Sequence, residues 1–186
     1  MPASHWAYGA VGALAAREIV KGRTDVVFDP AAPISRAEFV ALLMRTLERE
    51  TESGGSDSGE APPFKDVSAG AYYAAALREA AGDGIVTGDG DGRFRPNVQI
   101  SRQELAAMVY RALLLTGRLA APEGPAAGGA VFKDASDMAA YAREGIGALV
   151  SAGILQGSGQ TFRPTASASR AEAAQVMYKI WLANAE

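Results

Sequence analysis

The chain has 186 residues, 48% of them apolar, with a formal net charge of −3 and a mean hydropathy of +0.01. This is a globular composition whose alanine content favours close-packed helices over a bulky aromatic core. The acidic balance excludes broad nucleic-acid binding, which needs a basic stripe. The absence of cysteine excludes disulfide scaffolds, thiolate metal sites and cysteine nucleophiles. His5 is the only histidine, so a multi-histidine metal site cannot form within one chain. No apolar run approaches the roughly 18 residues of a membrane span, so no membrane insertion is expected. No secretion signal opens the chain. Met1 stands almost inside the first recognisable unit, so the sequence reads as a fragment whose secretion signal, if any, lies elsewhere.

In chain order, the first expected helix opens at Trp6 and carries Val11, Leu14 and Ile19 on one face. A loop with Gly22, Phe28 and Pro30 follows. Ser35-Arg36-Ala37-Glu38 then starts a second helix with apolar Phe39, Leu42, Leu43 and Leu47. Residues 50–63 are rich in Gly, Ser and Pro and read as a linker. The series then repeats: Phe64-Lys65-Asp66, Tyr72, Leu77, Ala80, Ile85, Gly88, Phe94, Pro96, Ser101-Arg102-Gln103-Glu104, and Leu105, Met108, Val109 and Leu113. A second linker covers 117–131. The third passage has Phe132-Lys133-Asp134, Tyr141, Ile146, Leu149, Ile154, Gly157, Phe162, Pro164, Ser169-Arg170-Ala171-Glu172, and Val176, Met177, Ile180 and Trp181.

The three arginines stand 66 and 68 residues apart, each eight residues after a phenylalanine. Such spacing marks an internal repeat. Serine at the N-cap and glutamate at N3 form a capping box, so Ser35, Glu38, Ser101, Glu104, Ser169 and Glu172 are assigned as structural caps. Asp66 and Asp134 are expected to help fix the start of the first helix. The loop glycines are expected to take positive φ, with a short extended stretch near each Phe. A lone helical hairpin cannot bury its apolar face. The fold class is therefore all-α, with three helix–loop–helix repeats (1–49, 64–116 and 132–186) forming one pseudo-threefold bundle in a monomer.

Ile-x-x-Gly, Gly-x-Phe-x-Pro and Ser-Arg-x-Glu together resemble the S-layer homology domain, whose second helix usually starts Thr-Arg-Ala-Glu. Here serine replaces threonine in all three units, Gln103 replaces alanine, and Ala173 stands where a bulky residue is usual. The resemblance implies a non-catalytic module that anchors secreted or S-layer proteins at the cell surface. Its implied partner is secondary cell-wall polysaccharide, bound through a pyruvylated amino sugar in grooves between repeats. No cofactor is implied.

A helix N-terminus attracts anions, and arginine matches a carboxylate in two bonds. Arg36, Arg102 and Arg170 are thus candidate ligand residues, against the plainer reading of solvated helix charges. Trp6, Tyr72 and Tyr141 serve either as sugar platforms or as core. Gly22, Gly88 and Gly157 are candidates for close backbone approach to a sugar. Gly88–Gly92 looks like part of a calcium loop, but Arg93 falls at a ligand position and no bidentate Glu follows, so a polar turn is the better reading and no metal is assigned. The alternative to glycan binding is a lattice-forming domain. An enzyme ranks third, because no carboxylate pair recurs beyond the capping glutamates.

Overall fold

A computed structural model of the chain describes residues 1–24, 26–47, 63–121 and 132–183. The two expected linkers lie largely outside these residues. Six α-helices carry the fold: α1 Tyr8–Ala15, α2 Arg36–Thr46, α3 Ala74–Gly82, α4 Arg102–Leu115, α5 Ala140–Ser151 and α6 Arg170–Leu182. Among the described residues there is no strand; the expected extended stretch is reduced to isolated bridges such as Ser35–Gln99 and Ser101–Ser167.

The second helix of each repeat starts where the capping box stands. Ser35, Ser101 and Ser169 accept from the amides of Glu38, Glu104 and Glu172, and each glutamate accepts from the serine amide in return. The first helices α1, α3 and α5 have no side-chain N-cap bond. Instead the α5 cap amide, Ala139 N–H, donates to the Gln103 side chain at 2.9 Å, which gives the Gln103 departure a structural use. The first helices end on αL residues, Glu18, Gly84 and Gly153 (φ 58°, 71° and 70°). The two glycines occupy that conformation without the Cβ penalty that Glu18 bears.

The chain divides into two compact units, Met1–Gln99 with Ser169–Glu186, and Ile100–Ala168. In the first, α1 packs on α6, α3 on α2, and α2 on α6. Ala10, Val11 and Leu14 of α1, and Ala74, Leu77 and Ala80 of α3, form their buried faces. Phe39, Leu43 and Met44 of α2 are almost fully buried. In the second unit α5 packs on α4. A Cβ on Gly145 would stand 2.9 Å from Tyr110 Cβ, so this glycine sets the approach of the two helices. The Tyr110 hydroxyl donates to Glu144. Burial first, then that bond and the carboxylate charge, push the phenol up to about 12. The packing rule is the same in both units: the first helix of one repeat lies on the second helix of the preceding repeat, with repeat 1 following repeat 3.

Between the helices, Gly92 and Gly159 take the positive φ expected of loop glycines (72° and 60°), while Gly22, Gly88 and Gly157 do not. Positive φ also falls on the residue between Phe and Pro: Asp29, Arg95 and Arg163, at φ 57°, 57° and 58°. An L-residue held there costs about 1–2 kcal/mol, so something must hold it. In repeats 2 and 3 the holder is the aspartate expected to start the first helix. Asp66 accepts from Phe94 and Arg95 amides at 2.8 and 2.7 Å, and Asp134 from Phe162 and Arg163 amides at 2.9 and 2.7 Å.

Burial alone raises both carboxyls, but the backbone donors outweigh it and leave them below the ordinary range, with Arg93 assisting Asp66 and Arg102 assisting Asp134. A carboxyl depressed in the folded state stabilises the fold above its unfolded pKa, about 3.9, and that contribution is lost as pH falls through the lower folded value. The urea midpoint should therefore drop as pH falls below about 4. The Asp66→Asn, Asp134→Asn double variant should start lower at neutral pH and show a shallower acid decline. An unchanged acid limb in that variant would remove these two groups from the account.

Candidate functional site

The three recurrent arginines are buried, each 8% exposed. Their Nε–H groups donate to phenylalanine carbonyls of another repeat within the same compact unit: Arg36 to Phe94 at 2.8 Å, Arg102 to Phe162 at 2.8 Å and Arg170 to Phe28 at 3.0 Å. Each guanidinium lies over that phenylalanine's ring, 4.9, 4.7 and 4.9 Å from its centroid. Arg102 Nη2 also donates to the Gln156 carbonyl, and Arg170 Nη2 to that of Lys21. Each arginine therefore fastens its helix to the Phe-x-Pro loop of the following repeat.

The helix N-termini are equally occupied. The amides of Arg36, Arg102 and Arg170 donate to Val98, Ala166 and Ala32 carbonyls, and the next amides to Pro96, Pro164 and Pro30. With the N3 amides held by the serines, the first-turn donors that an anion would use are already bonded. The sequence argument for anion binding at these termini counted donors without the loop carbonyls that satisfy them.

The glycines have a similar internal explanation. A Cβ on Gly22 would stand 2.3 Å from the Thr24 carbonyl oxygen; on Gly88, 2.6 Å from the Phe64 ring; on Gly157, 2.3 Å from the Phe132 ring. Glycine here admits the chain's own atoms. The aromatics behave otherwise. Trp6, Tyr72 and Tyr141 are 61%, 68% and 54% exposed, which removes the core reading.

In the first unit a groove of about 360 Å³ brings together Gly22 of repeat 1, Tyr72 of repeat 2 and Arg170 of repeat 3. The α2 face Glu38, Ala41, Leu42 and Arg45 forms one wall, and Ile19, Val20, Phe28 and Ile34 supply apolar floor. Arg36, Gly88 and Trp6 are not among its lining residues. Glu38 stands 3.5 Å from Arg170 Nη1. Burial lowers the Arg170 pKa, with Glu38 acting in the opposite sense; a guanidinium nevertheless stays charged. Burial, then Glu38 and Tyr73, raise the Tyr72 phenol, while Arg45 and Arg170 pull it back, so Tyr72 is neutral at physiological pH. An apolar floor, a phenol face and charged groups on one wall form a surface suited to a sugar ring bearing a polar or anionic substituent.

The Gly88–Gly92 loop closes on itself: Asp89 accepts from the Asp91 and Arg93 amides and from Arg95 Nε. Among the described residues no group of carboxylates and histidines is placed to hold a metal ion. Sequence reasoning missed Arg45, whose signal was a basic residue recurring nine positions after each repeat arginine.

The family described as "S-layer homology domain" matches the chain over residues 1–40, 63–106 and 131–174. Over 175 residues, 94% of the chain, it is 35% identical to an amylopullulanase of Thermoanaerobacterium thermosulfurigenes and 32% identical to exoglucanase XynX of Acetivibrio thermocellus. It is 31% identical over 177 residues, again 94% of its length, to S-layer protein EA1 of Bacillus anthracis. The chain spans 9%, 15% and 19% of these relatives' own lengths.

Proposed function

The chain belongs to the S-layer homology domain family, and from that premise we propose that it holds a larger secreted or S-layer protein on secondary cell-wall polysaccharide without catalysing a reaction. Membership itself fixes the coarser statement: this is a cell-surface module that associates with the wall or the S-layer. Relatives with different printed activities share this one segment, which supports a role independent of the passenger's chemistry. Among the described residues no helix is long and apolar enough to cross a membrane.

The observation that carries the finer reading is the groove where Gly22, Tyr72 and Arg170 meet. An exposed phenol beside an apolar floor offers a sugar ring a face to lie on, and the charged wall suits the carboxylate of a pyruvylated amino sugar. Tyr72 is the clean handle, being 68% exposed. Tyr72→Ala should weaken co-sedimentation with purified walls at least tenfold, about 1.4 kcal/mol, with an unchanged urea midpoint. Wild-type pelleting by this variant would remove the groove from the account. A chain that self-associates without pelleting walls would favour lattice assembly instead.

A further inference from the structure

The groove's most conspicuous cation is already committed. Arg170 is 8% exposed, bonded to the Phe28 and Lys21 carbonyls, and faces Glu38. Glu38 in turn accepts from the Ser35 amide. Arg45 is different. It stands seven residues after Glu38, two turns along the same face of α2, and lines the groove with Tyr72. It is half-buried and has no hydrogen-bond or ion-pair partner among the described residues. Both side chains line the one groove, and the Arg45 charge acts on the Tyr72 phenol against the rise that burial causes. Lys21, the other cation on the wall, is exposed at the rim and supplies its backbone carbonyl to Arg170. The second helix of every repeat carries a basic residue at this register: Arg45, Arg111 and Lys179.

We propose that Arg45 is the ligand-contacting cation of this groove, meeting the carboxylate of an anionic sugar whose ring lies on Tyr72, while Arg170 builds the wall. The proposal rests on the groove being the glycan site. A half-buried guanidinium is weakly hydrated and presents a planar fork, so it gives up little water on pairing with a carboxylate. The plainer role for Arg45 is a cation in the last turn of α2 that complements the helix C-terminus. Lysine would serve that role equally well but lacks the fork.

The test is calorimetric titration of the full chain with purified wall polymer, native and after mild acid has hydrolysed its pyruvate ketals. Arg45→Gln should bind native polymer at least tenfold more weakly than wild type, with Arg45→Lys between them. On acid-treated polymer the three should bind alike. Arg45→Lys keeps the helix-end charge, so its weaker binding at an unchanged urea midpoint separates ligand contact from a structural role. Wild-type affinity of Arg45→Gln while Tyr72→Ala is weakened would overturn the Arg45 assignment and leave the groove standing. An equal loss on native and treated polymer would also overturn it, because the carboxylate would then not be what Arg45 reads. Wild-type affinity in both Tyr72→Ala and Arg45→Gln would remove the groove reading and this inference together.

Discussion

Arg102→Ala is expected to cost about 3 kcal/mol of folding stability, because it strips donors from the Phe162 and Gln156 carbonyls and each buried acceptor left unpaired costs about 1–3 kcal/mol. The loss of the guanidinium from the Phe162 ring, 4.7 Å away, adds to this. For a chain of this size the thermal midpoint should fall by roughly 6–12 °C. Arg102→Lys should recover only part of the loss, since an ammonium cannot reproduce the fork. Chemical denaturation of the three proteins decides it: an alanine variant as stable as wild type would mean that the arginine is not a fastener. The same measurement bears on function. A loss of wall binding in any Arg36, Arg102 or Arg170 variant is uninterpretable until its folded fraction is known, and this makes Tyr72 and Arg45 the better probes of the groove.

Gly157→Ala should be nearly as damaging, at about 2–3 kcal/mol. Its Cβ would lie 2.3 Å from Phe132 Cε1 and 2.6 Å from the Thr161 carbonyl oxygen. Both neighbours are fixed, the ring by its contact with Phe162 and the carbonyl by the Ser158 amide. Gly12 in α1 is the internal control, because nothing lies within 4 Å of a Cβ built there. Gly12→Ala should stabilise the chain by about 0.5–1 kcal/mol through helix propensity. Urea midpoints for the two variants should move in opposite directions. A neutral Gly157→Ala would show that the loop can open, and would return Gly157 to the group of residues that a ligand approaches.

The parts of the fold that are local chemistry were readable from residue order. Ser35, Ser101 and Ser169 with their glutamates mark the starts of α2, α4 and α6, because a capping box spans only four residues. The apolar steps at Val11 and Leu14, Leu77 and Ala80, and Ile146 and Leu149 mark buried helix faces for the same reason. What residue order hid is pairing at a distance. Arg36 meets Phe94 across 58 positions, and Arg170 meets Phe28 across 142, and no local pattern distinguishes a fastened arginine from a solvated one. The αL residues of repeats 2 and 3 were hidden too, since Arg95 and Arg163 have side chains that ordinarily avoid that conformation. Their signal lay 28 positions upstream of Phe94 and Phe162, in Asp66 and Asp134.

The candidate site was partly legible. The aromatics recur and prove exposed, and Tyr72 sits in the groove. The arginines and glycines recur just as strictly, yet their positions are explained by contacts inside the chain. Strict recurrence thus identifies what the repeat needs, whether for folding or for binding. Exposure separates the two for the aromatics, and the absence of a partner among the described residues marks Arg45.

The most direct measurement is a crystal of the chain soaked with a pyruvylated amino-sugar monosaccharide. The account predicts density in the groove, with the ring against Tyr72 and the carboxylate at Arg45. Density at another surface, or an empty groove at a concentration that saturates the protein in solution, would contradict it.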